Sequence, residues 1–215
     1  VGFFNAFMVN KIHLEAFIAT LVTQSIIRGF AYIICGGKPV SISNKTFLLL
    51  GKARILNIPV SVWIMIICIV VFGIILAKTK FGRSVYAIGG SMDAARLAGL
   101  NPKKIITTCY VMMGILCSIG GICYCLNTMS GNVQQALGLE MDAIASSVIG
   151  GTLLTGGVGN VIGSFFGVLI NGTISTLVKT NGKLLSSWSN IAVAALLCFF
   201  IVLQSIFAKI KEKSK

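Results

Sequence analysis

Acids are what this sequence lacks most: Glu15, Asp93, Glu140, Asp142 and Glu212 are its only five, set against 18 Lys and Arg in 215 residues. Apart from the Glu140 and Asp142 pair they are scattered, so no carboxylate dyad is available for general acid–base work. The Glu140 and Asp142 pair reads instead as an acid cluster at a helix N-terminus, where it favours the helix dipole. His13 is the single histidine, which leaves metal sites and His-based catalytic constellations poorly supplied. No GxxxxGK[ST] run occurs, so the chain cannot cradle a nucleotide phosphate in that way, and any use of ATP falls to a partner. The seven cysteines, Cys35, Cys68, Cys109, Cys117, Cys123, Cys125 and Cys198, show neither the CxxC pairs nor the neighbouring His that zinc needs. They read as small hydrophobes. No basic n-region with a small-residue cleavage site is present, so no signal peptide is read. The chain opens at Val1 with the apolar run Gly2–Val9 already under way. This predicts the tail of a span in an N-terminally truncated piece of a longer protein, poorly stable without its first spans.

Charge of either sign is scarce. Charged residues make up 11% of the chain and hydrophobic ones 56%, with a mean hydropathy of +0.94, whereas a soluble domain carries about a quarter charged residues. A net charge of +13 would point to nucleic acid in a soluble protein. Here the basic residues flank apolar blocks and read as membrane topology signals, with no nucleic acid partner.

Those blocks predict an all-α, polytopic transmembrane helical bundle of about five to six spans, one of them short or broken, in a single domain over residues 1–215. After the polar break at Asn10, Lys11 and His13, a span runs from Leu14 to Cys35. Its one internal charge, Arg28, is costly at depth and is expected to snorkel to the span end or find a partner. Residues Gly36 to Ile58 keep no helical period and read as a loop. Val60–Ala77 is an uncharged run and the clearest span. Ile105–Leu126 is a return span and Asn127–Asp142 a polar stretch on the outer side. Ala143–Gly157 is too short and too rich in Gly and Ser for a lipid-facing helix, so it is expected to be a short or broken span packed inside protein, a candidate pathway element at Gly150, Gly151, Gly156 and Gly157. Val158–Val178 and Ser189–Phe207 complete the set. The stretch 78–104 carries six basic residues and one acid, which makes it cytoplasmic, as is the tail with Lys209, Lys211, Lys213 and Lys215. Counting the broken segment as one crossing keeps both on the same side. Eleven basic residues then lie inside and six outside.

Within 78–104, the segment FGRSVYAIGGSMDAARLAGLNPKK holds a short amphipathic stretch, with Ala94, Ala95, Leu97 and Ala98 for apolar contacts and Asp93 and Arg96 polar. Gly99 and Pro102 stop it. Such a helix fits a groove on another protein or rests on membrane lipid. The run GRSVYAIGGSMDAARLAGLN resembles the coupling loop of bacterial sugar ABC transporter permeases of the ribose, xylose and galactofuranose kind, within the branched-chain amino acid permease superfamily. GLEMDAIASSVIGGTLLTGGVGNVIGSFFGVLI and HLEAFIATLVTQSIIRGFAYI resemble the same family in the same order. The family's glycine-rich N-terminal signature is absent, and LLSSWSNIAVAALL is most similar to the galactofuranose branch.

The resemblance implies a non-enzymatic, multi-pass permease subunit of the bacterial inner membrane, importing a monosaccharide without a cofactor of its own. It implies as partners an ABC ATPase subunit, a second permease subunit and an extracytoplasmic sugar-binding protein. The ATPase-coupling positions that match are Gly82, Arg83, Gly89, Asp93, Ala94, Ala95, Arg96 and Gly99. A permease for branched-chain amino acids or nucleosides stays open, as does an integral membrane transferase, although the latter wants a polar cluster this chain lacks. Gly159, Gly163 and Gly167 recur every four residues and read as a packing face. Trp63 and Trp188 read as interfacial anchors, and Asn127, Asn132, Gln134 and Asn171 as unassigned hydrogen-bonding candidates.

Overall fold

Helix α1 (Gly2–Lys11) and helix α2 (Ala16–Cys35) are joined by the short polar turn around His13. A two-residue strand β1 (Val40–Ser41), a short helix α3 (Lys45–Lys52) and the pair β2 (Arg54–Ile55) and β3 (Ile58–Pro59) lead into α4 (Val60–Lys78). Then come α5 (Lys80–Gly90), α6 (Met92–Leu97), α7 (Pro102–Thr128), β4 (Ser130–Gly131), α8 (Leu139–Ile149) and α9 (Val161–Thr180). This computed structural model describes residues 1–43, 45–55 and 57–180, with residues 194, 195, 198 and 202. The expected span Ser189–Phe207 lies almost wholly outside them, as do Ser186, Ser187, Trp188 and the basic tail.

Among the described residues, α2, α4 and α7 are long and apolar enough to cross a membrane, and Val161–Leu177 forms a shorter apolar helix. Helix α4 buries none of its residues, as expected of a helix whose solvent is lipid on most sides. Where the chain does pack, small residues do the packing: Ala6, Ala19, Ala95 and Ala145 are among the few fully buried apolar side chains. Without a hydrophobic force between helices in lipid, close backbone approach supplies the attraction.

The chain divides into two compact units, Val1–Cys68 with Ala95–Ala136, and Ile69–Ala94 with Leu137–Lys215. In the first, α1 lies against α7 so closely that a side chain at Gly2 would collide with the Tyr110 carbonyl. At the other end of α1, the Asn10 side-chain amide donates to the Lys103 carbonyl at 3.1 Å and to Thr107 Oγ1 at 3.0 Å. Lys11, His13 and Lys103 therefore gather at one end of this unit around a shared pocket. At the opposite end β1 pairs antiparallel with β4, Val40 facing Gly131 and Ser41 facing Ser130.

Two expectations change here. The Gly36–Ile58 connection is not all loop, because α3 forms within it and seats Gly51 against Met129 and the Leu126 carbonyl at the end of α7. Eight residues are too few to show a helical period against a glycine-rich background. In the 78–104 segment, the expected single helix is preceded by another, α5, and a break at Ser91 separates the two.

Candidate functional site

Helix α5 starts on a Thr79 cap. The Thr79 hydroxyl accepts from the Gly82 N–H at 3.2 Å and donates to the Ile75 carbonyl at 2.5 Å, tying the start of α5 to the last turn of α4. Gly82 is buried, and a Cβ there would collide with the Leu76 backbone. Only glycine lets α5 leave α4 at this angle. Ser91, extended at φ −158° and ψ 114°, ends α5, and its Oγ accepts from the Ala94 N–H at 3.3 Å to start α6. Asp93 lies in the first turn of α6 and Arg96 in the last, each favoured there by the helix dipole. Gly99, at φ +81°, closes α6 with its N–H on the Arg96 carbonyl, and the Leu100 N–H reaches the Ala95 carbonyl. That is the double closure of a left-handed C-terminal cap. Asn101 then caps α7 through the Lys104 N–H, with Pro102 opening that helix.

Gly99 and Pro102 thus stop the short helix as expected, but its apolar residues do not share one environment. Ala95 is 4% exposed while Leu97 is 91% exposed. Arg83, Asp93, Ala94 and Arg96 are exposed as well. Leu97 therefore contributes nothing to the packing of this chain, and Ala95 is the one buried residue of the helix.

In the second unit, α8 and α9 run antiparallel in a register that repeats every four residues. A Cβ on Gly150 would meet the Gly163 carbonyl carbon at 2.5 Å, and one on Gly167 would collide with the Ser146 carbonyl. One turn further along, Asn171 Nδ2 donates to the Asp142 carbonyl at 3.3 Å and to Ser146 Oγ at 3.1 Å. Pairs 150–163, 146–167 and 142–171 form one ladder of small and polar residues. Gly163 and Gly167 are packing residues as their spacing predicts; Gly159 precedes α9 and faces Thr152 instead. Glu140 and Asp142 sit in the first turn of α8, as read from the sequence, although α8 begins at Leu139 and not at Ala143.

The broken segment is a helix to Ile149 followed by non-helical chain to Asn160. Gly151, Gly156 and Gly157 hold φ of +87°, +92° and +77°, where any other residue is strained. The loop closes on itself through Leu153 N–H to the Val158 carbonyl and Gly156 N–H to the Leu153 carbonyl, both 3.1 Å. Its other face is taken by α5. A Cβ on Gly89 would lie 2.5 Å from the Gly157 nitrogen, and one on Gly156 would lie 2.7 Å from the Gly89 oxygen. One turn before Gly89, the Tyr86 hydroxyl donates to the Gly159 carbonyl at 2.9 Å. The structure therefore brings together residues the sequence could only list separately: Gly89 of the 78–104 segment on one side, Gly156 and Gly157 of the broken span on the other. Tyr86 escaped the sequence reading, since only its three-residue offset from Gly89 hinted at a shared face.

The family model described as branched-chain amino acid transport system / permease component matches residues 1–204. The chain belongs to this permease family. The L-arabinose transport system permease protein AraH of Escherichia coli (strain K12) is 36% identical over 211 residues, covering 98% of this chain and 63% of that protein. The inner membrane ABC transporter permease protein YjfF of the same strain is 36% identical over 211 residues, 94% of this chain and 62% of its own length. The ribose import permease protein RbsC of that strain is 35% identical over 207 residues, 94% of this chain and 64% of its own length. The chain spans just under two thirds of the length of these relatives, and no solved structure matches it. Membership of a permease family agrees with the polytopic helical fold and sets the transferase alternative aside. It is a multi-pass membrane protein.

Proposed function

We propose that this chain is the membrane-spanning permease subunit of an ATP-driven importer for a monosaccharide in the bacterial cell membrane. It would act with an ABC ATPase subunit, a second permease subunit and an extracytoplasmic sugar-binding protein. The sugar assignment is supported by relatives named for L-arabinose and ribose. What carries the mechanism is the contact of α5 with the glycine loop, Gly89 on Gly156 and Gly157 and Tyr86 on Gly159.

In this reading the ATPase holds α6 by its exposed Leu97, with Asp93 and Arg96 beside it, while Ala95 fixes the helix to the permease. Gly82 and Gly99 bound the α5–α6 segment, and Arg83 lies on its exposed surface. A displacement of α6 moves α5, and α5 carries the loop from Gly150 to Gly159 and with it the tightly laddered α8–α9 pair. Opening and closing the broken crossing at Gly150, Gly151, Gly156 and Gly157 would expose the path alternately to each side. Every bond made or broken in the cycle belongs to ATP in the partner subunit; this chain converts its closure into a path.

The test is ATP-dependent uptake of labelled L-arabinose and D-ribose by the full-length protein with its ATPase and binding protein, comparing wild type with Ala95→Glu. Uptake by wild type and its loss in the variant, with normal membrane insertion, is the expected result. Uptake unaffected by Ala95→Glu rejects the coupling assignment. Wild-type uptake only of branched-chain amino acids or nucleosides replaces the substrate.

A further inference from the structure

The first unit contains a second polar feature, on a different helix face. Thr20, Thr23, Gln24 and Arg28 recur at helical spacing along α2, and with Asn5 of α1 and Val133 they line a cleft of about 390 Å³. That volume lies within the range of roughly 300–1,000 Å³ of small-molecule sites. The cleft is not at the end that holds Lys103. Arg28 sits 12 residues beyond Ala16, about 18 Å along the axis at 1.5 Å per residue, past the middle of a bilayer core of about 30 Å. Val133 follows β4, which closes the unit at the end opposite Lys103.

Polar and charged side chains at membrane depth are expensive and persist where they serve a path. Arg28 is half-buried, and neither it nor Gln24 makes a hydrogen bond or ion pair among the described residues. Its guanidinium is therefore left with its hydrogen-bonding capacity unused within the described residues. Asn5 is 8% exposed, and its Oδ1 is buried with no hydrogen-bond partner. Thr23 donates to the Ala19 carbonyl at 2.9 Å and Thr20 to the Phe17 carbonyl at 2.9 Å, which leaves both hydroxyl oxygens free to accept.

We infer that this cleft is a hydrogen-bonding station for a polyhydroxylated, uncharged substrate on the outer half of the translocation path. The donor and acceptor balance decides the class. The Thr20 and Thr23 hydroxyls, whose protons go to α2 carbonyls, present acceptor oxygens that an anion would meet unfavourably. A sugar hydroxyl donates and accepts at once, so the Arg28 guanidinium and the amides can each engage one. The inference rests on the reading of the chain as a sugar permease and adds the residues that would touch the sugar.

The experiment uses the full-length transporter with its ATPase and binding protein in proteoliposomes, and counts labelled D-ribose or L-arabinose carried per ATP hydrolysed. Arg28→Met and Gln24→Leu should each lower that ratio by about tenfold or more, as expected for losing a hydrogen bond to a charged or polar partner in a desolvated site. Arg28→Lys should recover part of it. An unchanged ratio, whether uptake is normal or falls in step with ATPase activity through poor assembly, overturns the inference and makes the cleft a packing feature. A wild-type transporter that carries neither sugar rejects the importer reading itself, so the two failures are distinct.

Discussion

Replacing Gly89 by alanine adds one carbon at the place where α5 meets the glycine loop. The new Cβ would stand 2.5 Å from the Gly157 nitrogen and 3.1 Å from its Cα. Both neighbours are backbone atoms, so no rotamer change relieves the overlap, and the helix or the loop must move. Overpacking of this sort costs about 1–3 kcal/mol, and alanine returns about 0.5–1 kcal/mol of helix stability relative to glycine. A control lies next door: a Cβ on Gly90 meets nothing within 4 Å, so Gly90→Ala keeps only the gain. In the full transporter we expect Gly89→Ala to lower uptake per ATP hydrolysed and to lower Tm by a few degrees, at about 2–4 °C per kcal/mol for a chain of this size. Gly90→Ala should match or exceed wild type in both. If the two alanine variants behave alike, the contact between α5 and the loop is not what couples them, and the reasoning fails.

Other consequences are open to measurement. Tyr86→Phe removes the hydroxyl that holds the Gly159 carbonyl and should cost about 0.5–1.5 kcal/mol, read as a modest Tm loss and weaker coupling without loss of insertion; a variant identical to wild type would show the bond to be incidental. Asn171→Ala deletes both donations across the α8–α9 ladder and should destabilise by about 1–3 kcal/mol, seen as a lower thermal midpoint in detergent. Leu97→Asp changes a side chain that is 91% exposed, so folding should be untouched within about 0.5 kcal/mol, while co-purification of the ATPase subunit should be lost. Retained co-purification would move the docking surface elsewhere.

The spans were legible where one residue type dominates for long enough. Val60–Ala77 lies within a residue of α4, and Ile105–Leu126 falls inside α7, although Pro102, read as a stop for the helix before it, also opens α7. Helix α5 was not legible, because Gly82, Gly89 and Gly90 within eleven residues look like a loop until the surfaces they fit are known. Each glycine weakens the helix locally, and two of the three are repaid by a backbone contact with Leu76 or with Gly157. The four-residue spacing of Gly163 and Gly167 announced a packing face but not its occupant. Ser146 and Gly150 repeat the same spacing on α8, a match that becomes visible only when the two helices are set antiparallel.

A coupling element must pass on displacement without absorbing it. Contacts made through long side chains yield, since rotamers change at little cost, whereas backbone against backbone has no such slack. The path from Gly89 through Gly156 and Gly157 to Gly150, and across to Gly163, consists of contacts of this second kind. Covalent continuity of the loop and its own two hydrogen bonds join them. The glycines that make this segment a poor lipid-facing helix are the same ones that allow the contacts, so the break in the span and the stiffness of its link to α5 have one physical cause. Filling any one of these positions with a side chain should therefore damage coupling more than it damages the helices on either side.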